Sequence, residues 1–187
     1  MCSSDLHRAA IWGDFAFDEE RLKADLTRIV ETGAEIFGGL PYEHYLFLIH
    51  VQPGISGGTE HLNANVSMTT PAAFATPRGY KGFLGLESHE YFHHWNVKRI
   101  RPVALGPFDY QHENYTTGLW VSEGVTSYYG ALILCRAGIL SPGEYLTNLA
   151  RLIGGYEQTP GRFKQSAESA SFDSWIKHYR PEDRKST

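Results

Sequence analysis

Residues 88–96 read Ser-His-Glu-Tyr-Phe-His-His-Trp-Asn and contain the pattern His-Glu-x-x-His. Successive helical residues are about 100° apart, so His89 and His93 lie one above the other on a single helical face. Two imidazoles at this spacing are typical of a zinc site. Glu90 points toward the same cavity but is displaced, so it is placed to hold a metal-bound water rather than the metal.

The residues around this pattern predict a mostly buried helix. Apolar residues recur at helical spacing from Phe83 to Trp95. We expect the helix to begin after the loop-like, glycine-containing run at residues 79–82 and to end before Arg101-Pro102, since a residue preceding proline avoids the helical region. Two histidines and a glutamate on a buried face are costly unless a metal or a hydrogen-bond network satisfies them. The context therefore favours a metal site over histidines that only fill core or surface positions.

The composition predicts one globular domain and excludes several classes of protein. The chain has 187 residues, of which 42% are hydrophobic, and a net charge of −4. That charge gives no electrostatic basis for binding nucleic acid or an anionic membrane. No apolar run approaches the roughly 20 residues that a membrane span needs. We expect a soluble protein without a signal peptide in this chain, with a cytoplasmic or a periplasmic location both open, and an undetermined oligomeric state.

The first half of the chain predicts a helix and two strands. Residues 17–37 have the pattern of an amphipathic helix, with Asp18 as N-cap and Gly38-Gly39 at its end. Residues 45–51 are continuously apolar and predict a buried strand. Residues 54–59 predict a glycine-rich turn, and residues 60–70 predict a partly polar strand at the sheet edge that Pro71 stops.

The second half predicts mainly helices. Residues 117–137 have helical periodicity, and Ser141 with Glu144 forms a capping box that begins another helix. Residues 1–10 do not continue the sequence pattern of the residues that follow, and we expect them to be a non-native or disordered tail. Residues 11–187 are then expected to form one domain. The apolar residues of the last helix are expected to form a core stripe: Leu146, Leu149, Leu152 and Ile153.

A third protein ligand is needed, because catalytic zinc typically has three and keeps one position for water or substrate. We choose Glu123, which lies in an apolar helical setting where its carboxylate should face the core. A salt-bridged interior glutamate is the alternative for Glu123. The rival ligands are His94, which is about 100° off the ligand face, and three residues in an irregular segment, Asp109, His112 and Glu113. Residues that could orient the ligand histidines include Asn96, Thr126 and Asp109, and their order stays open.

Several motifs resemble the glycyl aminopeptidase family, within the gluzincin or thermolysin-like zinc metallopeptidases. They are HEYFHHWNVKRIRP from residue 89, followed by PFDY, ENYT and LWVSEGVTSYYG. The run GGTEHLN at residues 57–63 resembles the upstream strand motif of that family. The similarity extends from about Trp12 to the carboxyl terminus. It implies an α+β, thermolysin-like catalytic domain, present in part, with a small sheet, an edge strand and a mainly helical remainder.

The resemblance also implies a set of site residues. They are the zinc ligands His89, His93 and Glu123, the catalytic acid/base Glu90, and a substrate-binding edge strand at Gly57, Gly58 and Glu60. By analogy with related aminopeptidases, Glu60 could bind the free amine of a peptide substrate, although an ordinary exposed strand glutamate is the alternative.

The function implied is a zinc-dependent aminopeptidase that hydrolyses amino-terminal Gly or Ala from peptides through a zinc-bound water. Two alternatives stay open: a zinc-binding but catalytically incomplete fragment or peptide-binding module, and an endopeptidase of the same metal chemistry. The family's oxyanion-stabilising tyrosine is expected beyond Thr187, and its flanking domains have no counterpart in this chain. Tyr128 and Tyr129 are expected to pack in the helical core instead.

Overall fold

The fold combines one small sheet with a mainly helical remainder in a computed structural model that describes residues 6–178. The strands are β1 His7–Trp12, β2 Tyr45–Val51, β3 Gly57–Glu60 and β4 Ala64–Thr69. The α-helices are α1 Glu19–Phe37, α2 Pro77–Phe92, α3 Thr126–Arg136, α4 Pro142–Glu157 and α5 Ala167–Lys177, and a π-helix at Trp120–Val125 precedes α3. No helix among the described residues is long and apolar enough to cross a membrane. The α+β arrangement agrees with the sequence prediction.

The strands lie in the order β1-β2-β4-β3, with β1, β2 and β4 parallel and β3 antiparallel to β4. The edge strand next to β4 is therefore β3, Gly57–Glu60, where the family resemblance implied an edge strand. The glycine-rich turn predicted for residues 54–59 is wrong for its last three residues, which belong to β3. The predicted edge location of residues 60–70 is wrong, because β4 pairs on both sides. Asn65 and Ser67 are fully buried on β4, so the polar pattern that suggested an exposed edge marks a polar patch in the interior.

Residues 7–10, which the sequence assigned to a tail, belong to β1. They pair with β2 in parallel register, with His7 opposite Tyr45 and Ala10 opposite Leu48. Backbone hydrogen bonds to a buried strand order this segment. The predicted tail is thus wrong for residues 7–10, while residues 1–5 lie outside the described part of the chain.

Local sequence signals predict several helix ends correctly. Asp18 accepts a hydrogen bond from the backbone N–H of Arg21 at 2.9 Å, and Gly38 takes φ +74° after the last turn of α1. The capping box of α4 is present between Ser141 and Glu144. These interactions are local, and the sequence therefore predicts them.

Two predictions about the helices are wrong. First, α2 starts at Pro77, with Thr76 as N-cap, and ends at Phe92 rather than near residue 100. Proline suits the first position of a helix, and the glycines of residues 79–82 did not prevent helix formation. Second, the predicted core stripe of α4 is not buried against the described residues: Leu146 and Leu152 are both 60% exposed. The helical prediction for residues 117–137 is confirmed, although its first part, Trp120–Val125, is a π-helix that leads into α3.

The core lies around α2, which packs against β3, β4, α1 and α3. Leu84 and Tyr91 on α2 are fully buried, and the ring of Tyr91 meets that of Tyr45 on β2 edge-on at 5.1 Å. Gly33 lets α1 approach closely, since a Cβ there would lie 3.0 Å from Tyr91. This packing fixes α2 on several sides, and with it the residues at its carboxyl end.

Candidate metal centre

The three predicted metal ligands meet at one point. His89 lies on α2 and His93 follows its last residue, and their Nε2 atoms are 3.0 Å apart. Glu123 reaches them from the π-helix, with its Oε2 atom 3.3 Å from His89 Nε2 and 3.6 Å from His93 Nε2. Two segments separated by about thirty residues therefore bring two imidazoles and one carboxylate together.

The spacing and protonation of these groups fit a zinc ion. Ligands at bond lengths of about 2.0–2.2 Å in a tetrahedral arrangement lie roughly 3.3–3.6 Å from one another. The two separations from Glu123, 3.3 and 3.6 Å, fall in this range, and the 3.0 Å between the two Nε2 atoms is slightly shorter. The Nδ1 atom of His93 donates to the backbone oxygen of Asn96 at 2.7 Å. Since a carbonyl only accepts, Nδ1 carries a proton, so Nε2 is the ring nitrogen whose lone pair a metal ion would use.

Glu123 lies on an unusual turn of helix. Its π-helix has the wider i→i+5 hydrogen-bonding pattern, which is rare and is often found at functional sites. Its side chain is 42% exposed, so the expectation that the carboxylate faces the core is wrong. The carboxylate is partly exposed, and its interactions with the side chains of His89 and His93 lower the pKa of Glu123 to about 2.

The rival ligands lie elsewhere. Among residues 6–178, neither group of three potential ligand atoms includes them. His94 is fully buried, and its Nδ1 atom contacts the backbone oxygen of Tyr91. Asp109 and His112 pair with each other at 2.8 Å on an exposed segment, and the carboxylate of Glu113 accepts a hydrogen bond from the hydroxyl of Tyr115.

Glu90 lies directly beneath β3. It is 6% exposed, and burial raises the pKa of its carboxyl group while His89 and His93 oppose that shift. A Cβ on Gly58 would be 2.3 Å from Glu90 Oε1. Only glycine allows the edge strand to pass so close to this carboxylate, so Gly58 and Glu90 are in direct contact.

Glu60, at the end of β3, also lies beside Glu90 and His93. Its carboxylate, that of Glu90 and a ring nitrogen of His93 lie within 4.8 Å of one another. Lys98 Nζ is 3.1 Å from Glu60 Oε1 and lies over the ring of Phe108 at 4.9 Å. The sequence analysis missed Lys98 as a site residue, because only the turn after α2 brings it to β3.

A buried polar cluster lies behind the centre, between α2 and β4. Glu87 is fully buried, and burial raises the pKa of its carboxyl group to about 7 against hydrogen bonds from Ser67 and Asn65. Asn65 Nδ2 donates to Glu87 Oε2 at 2.9 Å. The sequence analysis missed this cluster too. Its only signal was the alternation of polar residues along β4.

The residues predicted to orient the histidines divide into two groups. Thr126 and the backbone of Asn96 both contact His93 Nδ1, at 3.3 and 2.7 Å. Asp109 contacts its own segment instead, so its prediction is wrong. Ser127 Oγ, 3.4 Å from His89 Nδ1, was not predicted.

The two tyrosines that follow Ser127 differ from each other. Tyr129 stacks on Phe92 at 5.0 Å, as expected for core packing. Tyr128 is 50% exposed, which contradicts that expectation.

A groove of about 1050 Å³ leads away from the histidine side of the centre. It runs between α2, α3 and the start of α4, from Arg78 to His89. The side of the centre formed by His89 is thus accessible along this groove.

The cluster consists of two helical histidines, a carboxylate as the third ligand, and an adjacent glutamate beside an edge strand. Together with the α+β fold, it defines a candidate metal centre of the kind found in hydrolases. The family model of M61 glycyl aminopeptidases matches residues 82–187. The match covers more than half of the chain, which therefore belongs to the M61 glycyl aminopeptidase family. The resemblance predicted from the motifs is confirmed.

The structure is also similar to the crystal structure of an aminopeptidase N family protein from Idiomarina loihiensis. The TM-score is 0.86 and the identity 34%, over 92% of this chain and 30% of that chain. The chain thus spans about a third of the length of that relative. A comparison with curated proteins gives no match.

Proposed function

We propose that the chain contributes the catalytic centre of a zinc-dependent aminopeptidase with a thermolysin-like catalytic domain, which removes small amino-terminal residues, Gly or Ala, from peptides. The observation that carries the proposal is the convergence of His89, His93 and Glu123 beside Glu90. Membership of the glycyl aminopeptidase family supports the class of substrate.

The chemistry follows from the position of each group. Zinc, when bound by His89, His93 and Glu123, would polarise the scissile carbonyl and lower the pKa of water. Glu90 is not needed as a ligand, and its buried carboxylate accepts the proton that the attacking water loses. It then returns this proton to the nitrogen of the leaving amine as the C–N bond breaks. Burial raises the pKa of Glu90, which makes its carboxylate a stronger base.

The edge strand supports a mode of substrate binding. β3 pairs with β4 on one side, and its other side is a sheet edge to which an extended peptide can add as a further strand. Gly57 and Gly58 keep this edge free of side chains next to Glu90. Glu60, near Glu90 and His93, is placed to bind the free amine of such a peptide.

The test is hydrolysis of glycyl and alanyl amides by the zinc-reconstituted chain and by Glu90→Gln. We expect the variant to retain zinc and to lose about 10²–10⁴-fold in turnover, because the general base is removed. Glu31→Gln, on the exposed face of α1, is the matched control and should leave turnover unchanged. A wild-type chain that takes up no zinc, or a Glu90→Gln variant with wild-type turnover, contradicts the proposal. Zinc and peptide bound without turnover, with activity only in a longer chain, would select the incomplete fragment or peptide-binding module.

One observation favours an endopeptidase as the second candidate. Lys98 already pairs with Glu60 at 3.1 Å. The amine of a substrate would therefore have to share the Glu60 carboxylate with Lys98. Acetylation of the substrate amino terminus separates the two candidates. An aminopeptidase loses such a substrate because the ammonium group is gone, whereas an endopeptidase continues to cleave it.

A further inference from the structure

Asn96 contacts both segments that form the candidate metal centre. It is 7% exposed and follows His93 by three positions. Its backbone oxygen accepts the hydrogen bond from His93 Nδ1 at 2.7 Å. Its side-chain nitrogen lies 3.1 Å from the backbone oxygen of Val121, 3.2 Å from that of Ser122 and 3.0 Å from Thr126 Oγ1.

These acceptors belong to the segment that carries Glu123. Val121 and Ser122 lie in the π-helix directly before this ligand, and Thr126 begins α3 directly after it. Thr126 Oγ1 also donates to the backbone oxygen of Ser122 at 2.6 Å. The two hydrogens of one amide group therefore serve oxygens on both sides of Glu123.

Burial makes these contacts specific. Ser122 is 3% exposed and Thr126 is fully buried, so water does not readily replace a lost donor. Leaving a buried acceptor unpaired costs about 1–3 kcal/mol. The Glu123 segment is therefore most stable in the conformation in which the Asn96 amide donates to it. In that conformation Glu123 points toward the histidines.

We propose that Asn96 is a positioning residue for the third metal ligand: its backbone orients His93 while its side chain fixes the π-helical segment that carries Glu123. The inference rests on the proposed function for the identity of the metal, but the link between the two segments belongs to the polypeptide itself. Groups that orient metal ligands typically contribute about 10- to 100-fold to metal affinity.

Two substitutions remove this link with little change in size. Asn96→Asp replaces the amide donor by a carboxylate oxygen that faces two carbonyl oxygens, so the segment should be repelled. Thr126→Val removes one acceptor of the Asn96 amide together with the bond to Ser122, and Thr126→Ser restores the hydroxyl. Asn148→Asp, exposed on α4, introduces the same charge outside the network and is the matched control.

The first readout needs no metal. Amide hydrogen exchange is measured across residues 119–126 of the metal-free chain. We expect faster exchange in Asn96→Asp and Thr126→Val than in wild type, Thr126→Ser and Asn148→Asp. The inference is overturned if this segment exchanges at the wild-type rate in both Asn96→Asp and Thr126→Val. If circular dichroism shows that Asn96→Asp is unfolded, Thr126→Val alone decides in the same way.

The second readout is zinc affinity, measured by competition with a chromogenic chelator, together with the visible spectrum of the cobalt-substituted chain. We expect Asn96→Asp to bind zinc about 10- to 100-fold more weakly and to show an altered cobalt spectrum, since Glu123 is displaced. An unchanged affinity and spectrum in a folded variant overturn the inference, because a purely structural role would lower only stability. A wild-type chain that binds no zinc contradicts the proposed function separately, and the exchange measurement still decides on Asn96.

Discussion

At the scale of single residues, the centre depends on the close approach of β3 to Glu90. Gly58 has no side chain where its strand crosses the carboxylate, and a Cβ there would lie 2.3 Å from Glu90 Oε1. The neighbouring Thr59 points away and is exposed. Gly58 therefore affects the position of the proposed general base rather than the metal ligands.

Gly58→Ala should displace Glu90 and leave the zinc ligands in place. We expect turnover to fall by about 10²-fold, because a displacement of about 1 Å of a catalytic group has that effect. Turnover number and zinc content are measured together, with Thr59→Ala as the control. Wild-type turnover in Gly58→Ala would show that Glu90 does not depend on this contact.

The residues that the sequence predicted differ in kind from those it missed. His89 and His93 are related by the period of one helix, and Glu90 follows from the same period. Glu123 was predicted from its setting within a helical pattern, although its π-helical turn and its exposure were not. Lys98 was missed, because its contact with Glu60 joins segments distant in sequence. Asn96 was predicted as one candidate for orienting the histidines, but its side-chain contacts with the Glu123 segment were not, since no local pattern reports such contacts.

At the scale of elements, the centre depends on how closely α2 and α3 pack. A Cβ on Gly130 of α3 would lie 3.3 Å from the backbone of His89, and Ser88 Oγ donates to the backbone oxygen of Gly130 at 2.9 Å. The small residue and the hydrogen bond together set the distance between the helix that carries the histidines and the helix that follows Glu123. The sequence predicted both helices because their periodicity is local. It did not predict their spacing, which the contacts between them decide.

Gly130→Val should force these helices apart. We expect a loss of about 1–3 kcal/mol in the free energy of unfolding, as is typical of overpacking, and weaker zinc binding. Gly154→Ala on α4 is a contrasting control, because its Cβ would meet nothing within 4 Å. It should stabilise the chain by about 0.5–1 kcal/mol through helix propensity alone. Urea denaturation measures the free energy of unfolding of both variants. Equal effects of the two substitutions would contradict the packing argument.

At the scale of the whole molecule, the centre joins parts of the chain that are distant in sequence. α2 rests on the sheet through β3 and β4, and the segment with Glu123 approaches from the side of α3. The apolar residues Leu146 and Leu152 of α4 are exposed among the described residues, so this helix contributes less to the core than its pattern predicts. A metal ion bound between α2 and the Glu123 segment would therefore link two halves of the fold.

Removal of zinc should lower the thermal stability of the chain. A ligand that binds only the folded state stabilises it by about 2.7 kcal/mol when its concentration is 100 times its Kd. We expect the melting temperature to rise with added zinc and to fall with a chelator, measured by circular dichroism. Magnesium, which prefers oxygen ligands, should have little effect. A melting temperature that does not respond to zinc would contradict a metal link between these segments.

X-ray absorption at the zinc edge tests the central claim most directly, since it reports the ligands themselves. The zinc-loaded wild-type chain should show two imidazole nitrogens and one carboxylate oxygen from the protein, at about 2.0–2.2 Å. Glu123→Gln should bind zinc more weakly and show a changed oxygen contribution, with both imidazoles retained. A chain that binds no zinc, or a zinc environment without two imidazoles, would contradict the assignment of His89, His93 and Glu123.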